Sequence, residues 1–440
     1  MHCQPGAGYK SGMDSSREYL SASKAARLLH GLYLTMVEAA NPAQVLSPHL
    51  PADRSMPLRV IGAGKAAASM AAALDGHWHG PLRGFVVTPY GHAMPAGRVD
   101  VREAAHPLPD LEAMECGKSL LGSVAAAARE GERVVCLLSG GASSLACLPP
   151  PSVPLAEKRA VVEALLRSGA GIAEINCVRK HLSLLKGGRL AQAAWPSPVL
   201  CLAVSDVPGD DPAVIGSGPF SRDPTTREDA LAVLEHYGIP FSAAVREWLG
   251  NPDSESPKPG PGGFSHVDYR MLATPASALA AAVGQARGLA CDVMDLGAAI
   301  EGDATALGHA HAALARERLA AGWRGIILSG GETSVIVRGA GRGGRNTEYL
   351  AAVVEGLNGV VDVAGLAADT DGVDGSGGAG AWFDPAILAA AGARGLAVSS
   401  FVRTSDTYAF FATLGADLAA SPTRTNVNDF RALLVGAGAV

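Results

Sequence analysis

Residues 137–144 read LLSGGASS and residues 327–334 read ILSGGETS, so the chain carries two near copies of one short pattern. An apolar run precedes each copy, as is typical of a buried β-strand. A strand that runs into Ser-Gly-Gly brings bare backbone N–H groups to its end, where they can bind an anion. Because the copies lie in different halves of the chain, they predict one sheet in each half.

Outward from these copies, short β-branched runs alternate with Ala- and Leu-rich stretches through most of the sequence. This alternation predicts parallel strands joined by crossover helices. We therefore predict an α/β protein with two doubly wound, Rossmann-like α/β/α domains, largely parallel sheets and an interdomain cleft. The predicted strands are 58–61, 84–87, 133–138, 199–204, 269–273, 290–295, 325–328, 360–365 and 397–401.

The length of 440 residues favours two domains. The clearest break in composition is the segment NPDSESPKPGPGGF at 251–264, which is typical of a linker or a long loop. We predict an N-terminal domain at 21–255 and a C-terminal domain at 265–440. Residues 1–20 form a polar lead-in for which we predict no regular structure.

Composition excludes several classes of partner. The net charge of −6 provides no basic surface for nucleic acid, and no apolar segment resembles a signal peptide or a membrane span. The seven cysteines include no CxxC pair, which favours reduced thiols and a cytoplasmic location. The pattern is compatible with a monomer or a homodimer.

The segment RVIGAGKAA places Gly64 and Lys65 between a predicted strand and a predicted helix. It approximates the GxGxxA turn of dinucleotide-binding proteins. However, the next predicted strand ends in Thr88 and Pro89 rather than in an acid that could bind a ribose hydroxyl. Lys65 at a helix start favours an anion, and a solvated lysine is the alternative.

Two further segments are candidate anion sites. In LSGGASS, the residues Ser139, Gly140, Gly141, Ala142, Ser143 and Ser144 form either an anion-binding loop or a tight turn with a helix cap. In INCVRKHLSLLKGG, a helix beginning near Asn176 would place Arg179, Ser183 and Lys186 on one stripe and would end at Gly187. That stripe is either a ligand site or a solvated face.

Acidic, glycine-rich loops follow two other predicted strands. Asp206 and Asp210 lie in SDVPGDDP, and Asp369 and Asp371 lie in DTDGVDG. Carboxylates in such loops suit Mg²⁺, which takes one or two carboxylates and shares substrate phosphates. Ordinary turns have the same composition and are the alternative.

The second half adds Glu332 after its Ser-Gly-Gly, and Arg345 and Asn346 in GRGGRN. Asn428 lies in TNVND, which we predict to open a last short helix. The sequence shows no GxSxG motif and no histidine close to a nucleophile-like serine. Glycine-rich loops, cations and acidic loops at strand ends together favour phosphoryl transfer, which relies on positioning and on charge stabilisation.

Jointly these motifs resemble the glycerate 2-kinases, which combine an N-terminal DUF4147 domain with a C-terminal MOFRL domain. The matching runs occur in the family's order from Val60 to Phe430: VIGAGKAA, LLSGGASSL, INCVRKHLSLLKGGRLA, SDVPGDDPAVIGSGP, IEGDA, LSGGETSV, GRGGRN, DTDGVDG and TNVNDF. The resemblance implies ATP-dependent phosphorylation of the 2-hydroxyl of D-glycerate, or of a close hydroxy-acid, with Mg²⁺ or another divalent cation.

The resemblance also implies that Lys65 and Arg345 are the catalytic pair. The sequence departs from the family pattern at Thr347, which replaces a glutamine, at Arg424, which replaces a glycine, and across Val373 to Gly380. An added arginine would suit a longer or more acidic hydroxy-acid. Two other functions are weighed against the kinase: an NAD(P)H-dependent hydroxypyruvate reductase, and a non-catalytic sensor of a sugar acid or a nucleotide.

Overall fold

The structure, a computed structural model, describes residues 23–258, 264–289 and 291–437. The predicted lead-in at 1–20 therefore lies outside the described residues. The strands are β1 Leu58–Ala63, β2 Leu82–Pro89, β3 Asp100–Ala104, β4 Arg133–Leu138, β5 Val199–Val204, β6 Val267–Ala273, β7 Asp292–Asp295, β8 Gly302–Asp303, β9 Gly325–Gly331, β10 Thr333–Ser334, β11 Val363–Asp369, β12 Gly380–Phe383, β13 Asp417–Leu418 and β14 Asp429–Val435.

The helices pack around two six-stranded sheets. They are α1 Lys24–Ala39, α2 Pro42–Val45, α3 Ala67–His77, α4 Leu111–Glu130, α5 Ala142–Leu145, α6 Leu155–Arg167, α7 Ile172–His181, α8 Arg189–Ala194, α9 Arg227–His236, α10 Ala243–Gly250, α11 Pro275–Arg287, α12 Ala304–Ala320, α13 Arg345–Gly356, α14 Pro385–Ala393, α15 Val398–Arg403 and α16 Thr407–Thr413. The predicted α/β class and the two-domain arrangement are confirmed.

The first sheet is wholly parallel and has the strand order β3-β2-β1-β4-β5-β6. This is the order of a doubly wound Rossmann sheet, in which ligands collect where the order reverses. Here the reversal lies between β1 and β4. The loops after these strands carry Lys65 and the SGGASS segment, so the fold brings the two to one crevice.

The second sheet differs from the prediction of largely parallel pairing. Its order is β13-β12-β11-β14-β9-β7, and only β7 and β9 pair in parallel. The central strand β14 comes from the segment that was predicted to open a helix, so that prediction is wrong. Tyr33 of α1 packs on Phe430, and Arg431 lies over the ring of Tyr349 of α13. Because neighbouring strand residues face opposite ways, helices cover both sides of this sheet.

The domain boundary also differs from the prediction at 255–265. Strand β6 belongs to the first sheet, whereas α1 packs on α11 and on strands of the second sheet. The predicted linker 251–264 is described up to 258, and there Arg189 Nη2 donates to the carbonyl of Ser254 at 2.6 Å. Sequence composition marks a loop at this position, but side-chain packing decides to which domain each element belongs.

Two local predictions are wrong for a shared reason. The segment 397–401 forms the start of helix α15, which begins at Val398, rather than a strand, and α7 ends at His181 rather than continuing to Lys186. Ser183 and Lys186 therefore do not extend the stripe that begins at Arg179. In both places a short apolar or polar pattern fits either structure, and tertiary packing selects between them.

One buried histidine gives the second domain a predicted pH dependence. His311 Nδ1 lies 2.9 Å from the hydroxyl of Tyr349, and burial together with Arg431 lowers the pKa of His311 to about 4. The unfolded chain binds this proton from about pH 6.5 downward, whereas the folded chain binds it only near pH 4. The free energy of unfolding is therefore expected to fall by roughly 2 kcal/mol as the pH is lowered from about 6.5 to about 4. Urea unfolding measures this at several pH values. The free energy of unfolding of His311→Gln should fall less steeply below about pH 6.5 than that of the wild type, and an equal pH dependence would contradict the role of His311.

Candidate active site

The turn after β1 holds Lys65 against the first loop of the crevice. Gly64 has a φ of +136° and donates its N–H to the carbonyl of Val87 at 3.0 Å. The N–H of Lys65 bonds the carbonyl of Gly140 at 2.8 Å, and that of Ala66 bonds Ser139 Oγ at 2.9 Å. Protein acceptors therefore satisfy all three amides, so the turn orients Lys65 and leaves no N–H for a dinucleotide pyrophosphate.

Gly64→Ala is expected to destabilise the fold by about 2 kcal/mol or more, because a Cβ there would lie 2.1 Å from Ser139 Oγ at a positive φ. Gly76 on helix α3 is a matched control, since nothing lies within 4 Å of a Cβ added there. Gly76→Ala is expected to raise stability by up to about 1 kcal/mol. Urea denaturation measures both, and equal midpoints for the two variants would contradict the prediction.

The SGGASS loop lies along the cleft between the two domains. No acceptor within the described part of the chain is bonded to the N–H of Gly140 or Gly141. Ser143 Oγ lies 2.8 Å from Ser217 Oγ, and Ser144 Oγ donates to the carbonyl of Gly141 at 3.0 Å. The loop thus presents two unused amides beside ordered hydroxyls.

Lys186 supports this loop from below. Its side chain is buried, and its ammonium donates to the carbonyls of Ser143 at 2.7 Å and Ala146 at 3.2 Å. Gly187, the next residue, has a φ of +58° and donates its N–H to the carbonyl of Ser217. Both residues therefore tie the SGGASS loop to the neighbouring IGSG turn.

Lys65 reaches across the cleft to the second domain. Its ammonium lies 2.5 Å from Asp371 Oδ2, in the acidic loop that follows β11. Burial lowers the pKa of Lys65, but the charges of Asp371 and Asp369 outweigh burial and the pKa is raised overall. Lys65 therefore keeps its positive charge at neutral pH.

Arg345 is the first residue of α13 and bonds three carboxylates. Its Nε, Nη1 and Nη2 lie 2.8 Å from Asp429, 3.0 Å from Glu332 and 2.7 Å from Asp369. Burial opposes the charge, but Asp429 and Asp369 raise the pKa of Arg345 further. The guanidinium is thus fixed in one orientation at the cleft.

Asp374 holds the start of α13. Its carboxylate accepts the N–H of Asn346 at 3.1 Å and that of Thr347 at 3.0 Å. Burial raises the pKa of Asp374 to about 6. Asn346 Nδ2 also donates to Asp429 at 2.8 Å. These bonds position the neighbouring Arg345, and Thr347 serves here as a partner of Asp374.

Asp206 lies where the two domains meet. Its Oδ2 accepts Asn426 Nδ2 at 3.0 Å, and its carbonyl accepts Asn428 Nδ2 at 2.7 Å. A Cβ on Gly140 would lie 2.0 Å from Asp206 Oδ2, so only glycine allows this approach. Burial raises the pKa of Asp206 to about 6 although the charges of Lys65 and Arg345 oppose the shift, and Asp206 forms no salt bridge with another described residue.

Two cavities occupy the cleft and share His106, Pro107 and Thr333 in their walls. The larger, of about 970 Å³, is lined by the predicted site residues Gly140, Gly141, Ser143, Ser144, Arg179, Lys186, Asp206 and Glu332. The smaller, of about 840 Å³, is lined by Lys65, Arg345, Asp369 and Asp371. Gly64, Ser139, Ala142, Gly187, Asn346, Asn428 and Asp210 line neither cavity.

The predicted metal ligands are not brought into one cluster. Over residues 23–258, 264–289 and 291–437, no three His, Cys, Asp or Glu side chains are placed to hold a metal ion together. Asp369 and Asp371 are paired with Arg345 and Lys65 instead. Asp210 is absent from the lining of both cavities. The positions of the aspartates in the two acidic loops therefore did not identify one shared metal site.

Sequence reasoning missed several residues of the cleft, among them His106, Lys158 and Ser217, all of which line the larger cavity. Lys158 lies on the amphipathic helix α6, where its charge reads as a solvated position. Ser217 has a φ of +62° and donates to Asn176 at 3.0 Å. In the sequence, the glycines on either side of Ser217 were the one indication of an unusual turn there.

Arg424, the added arginine, is exposed and lies outside the lining of both cavities. In the described portion of the chain, no helix is long and apolar enough to cross a bilayer.

Residues 28–250 match the domain of unknown function DUF4147, and residues 325–429 match the MOFRL family. A D-glycerate 2-kinase of Thermotoga maritima is 35% identical over 412 residues, covering 91% of this chain and 95% of that protein. The chain belongs to the glycerate kinase family. The resemblance seen in the sequence motifs is therefore confirmed.

The family members carry two kinds of name. A protein of Agrobacterium vitis, 41% identical and covering 94% of this chain and 95% of its own length, has a name that proposes a hydroxypyruvate reductase. Among solved structures, a glycerate kinase from Thermotoga maritima matches with a TM-score of 0.82 at 35% identity. It covers 93% of this chain and 99% of that chain. The fold is thus shared along nearly the whole length.

Proposed function

We propose that the protein is an ATP-dependent kinase that phosphorylates the 2-hydroxyl of D-glycerate, giving 2-phosphoglycerate. One observation carries the proposal. Lys65 from the first domain and Arg345 from the second bind neighbouring carboxylates, Asp371 and Asp369, at the end of β11. Two fixed cations on opposite sides of a cleft suit the charge that develops on a transferring phosphoryl group.

The transfer proceeds directly between substrates. The 2-hydroxyl oxygen forms a bond to the γ-phosphorus and releases its proton to solvent, and the bond between that phosphorus and the β–γ bridging oxygen breaks as ADP leaves. Lys65 and Arg345 neutralise the phosphoryl oxygens, and the amides of Gly140 and Gly141 bind anionic oxygens. The nearby residues supply charge and orientation rather than a covalent intermediate.

A divalent cation fits one part of this site. Asp206 faces the larger cavity without a salt bridge in the described part of the chain, and burial raises its pKa although the charge of Lys65 opposes the shift. Mg²⁺ takes one or two carboxylates and completes its shell with water and substrate phosphates, so Asp206 would hold it. The ion would supply charge neutralisation at the nucleotide phosphates.

The product identifies the reaction. Purified protein with ATP, Mg²⁺ and D-glycerate is expected to release ADP, and the product should be consumed directly by added enolase without a mutase. A product that requires the mutase is 3-phosphoglycerate and would contradict the assigned position. No glycerate-dependent ADP release would reject the kinase altogether.

A hydroxypyruvate reductase is a second candidate because related proteins carry that name. The structure argues against it, since protein acceptors occupy the amides of the turn at Gly64 and β2 ends in Thr88 and Pro89. Mixing the protein with hydroxypyruvate and NADH or NADPH tests it. Loss of absorbance at the rate of the kinase reaction would favour the reductase.

A further inference from the structure

The larger cavity has a cationic end away from the catalytic pair. Lys158 and Arg159 of α6 and Arg179 of α7 line it, together with apolar side chains such as Val162. Three carboxylates also line the cavity, those of Asp206, Glu301 and Glu332, and Glu332 bonds Arg345 of the catalytic pair. An anion that enters the cavity is therefore drawn to the α6–α7 end.

Lys158 is a buried charge that lacks a partner. Its side chain is 3% exposed, and its Nζ makes no hydrogen bond within the described part of the chain, although the Cys147 thiol lies beside it. Burial lowers the pKa of Lys158, and the nearby Arg179 lowers it further. A buried ammonium without a counter-charge is costly and is uncommon in folded proteins.

A second buried lysine nearby shows the usual arrangement. Lys180 on α7 is also buried, but its ammonium lies 3.2 Å from Asp223. Lys158 and Arg179 face the cavity instead, and no carboxylate among the described residues pairs with Arg179. The same part of the fold thus neutralises Lys180 with a carboxylate and leaves Lys158 and Arg179 facing the cavity without one.

The geometry points to Lys158 and Arg179 as an anion subsite that binds a carboxylate or phosphate group of one substrate. The inference rests on the proposed function, which supplies two anions: the carboxylate of the hydroxy-acid and the polyphosphate of the nucleotide. Lys186 lies beneath the SGGASS loop and keeps that loop in place beside the subsite. The bound anion would then be anchored away from Lys65, with the reacting group directed toward it.

Binding to Lys158→Met tests the subsite independently of turnover. Pyrophosphate and D-glycerate are titrated separately into the full-length protein by calorimetry. The wild type is expected to bind at least one of them, and the variant should bind that anion roughly tenfold or more weakly. An anion that binds the variant and the wild type with equal affinity does not occupy the subsite. Arg167→Met is the matched control, because Arg167 lies on the same helix, is exposed and pairs only with Glu163 in the described chain.

Arg179→Gln provides a second variant should Lys158→Met fail to fold, and it is expected to weaken the same anion. Affinities within twofold of the wild type for both anions in both variants would overturn the inference, as would a wild type that binds neither. Steady-state kinetics distinguishes failure of the subsite from failure of the proposed kinase function. A protein that binds the anion through Lys158 but releases no ADP with D-glycerate supports the subsite and rejects the kinase.

Discussion

Lys65→Met is expected to lower kcat by about three orders of magnitude or more, because a cation on a transferring phosphoryl group is worth that much in comparable sites. Methionine keeps most of the length of the side chain and removes the ammonium group with its charge. Lys65 touches Asp371 and is presented by a turn whose amides are all bonded, so its position in the cleft is fixed. A coupled ADP-release assay with saturating ATP and D-glycerate measures the loss.

The matched control for Lys65 is Lys118→Met, since Lys118 is exposed and pairs with Glu115 at the surface of α4. Its kcat should stay within twofold of the wild type. The KM values of Lys65→Met should change less than kcat if the charge acts mainly on the transition state. A Lys65→Met protein that folds normally and keeps more than a tenth of the wild-type kcat would exclude Lys65 from the mechanism.

Arg345→Met is expected to abolish activity and also to destabilise the fold, by about 3 kcal/mol at pH 7. Arg345 is the counter-charge of Asp369 and Asp429, both of which are buried. Removing one partner of a buried ion pair leaves an uncompensated charge, and the cost is of this size. Urea denaturation measures the stability, and the coupled assay measures kcat.

Arg345→Lys separates the two effects. Lysine retains the positive charge and should recover most of the stability, but a single ammonium cannot reproduce the three directed bonds of the guanidinium. We therefore expect its kcat to remain at least about a hundredfold below the wild type. Equal activity in Arg345→Lys and the wild type would show that the orientation of the guanidinium is unimportant.

The sequence predicted the first sheet well because its strands are buried on both faces. β4 and β5 have the bounds that their continuous apolar runs predicted, 133–138 and 199–204. β14 was missed because Arg431 interrupts an otherwise apolar run. In the structure that arginine is buried, bonds Asp429 at 2.6 Å and lies over Tyr349. Such long-range partners leave no local signal.

The two Ser-Gly-Gly segments show the limit of local similarity. The first ends a parallel strand and forms an open loop, whereas the second lies inside β9 and pairs with Asp429 and Phe430 of β14. Gly331 has a φ of +122°, and a Cβ there would lie 2.2 Å from the carbonyl of Ile300. The same Ser-Gly-Gly sequence thus forms a loop after a strand of the first sheet and part of a closely packed strand in the second.

The candidate cations Lys65 and Arg345 were identified from charge at glycine-flanked strand ends. Their carboxylate partners could not be paired from sequence, because Lys65 and Asp371 are 306 residues apart. Lys158 carried no sequence signal, since a lysine on an amphipathic helix is usually solvated.

The position of α1 has a consequence for how the protein can be divided. The chain begins its described part on the second sheet, builds the whole first sheet, and returns through Thr274 to α11, which packs on α1. In sequence terms the first domain is an insertion within the second. Cutting at 255–265 would remove β6 from one fragment and α1 from the other, so neither fragment should fold alone. Two covalent connections, one after α1 and one before α11, therefore join the domains.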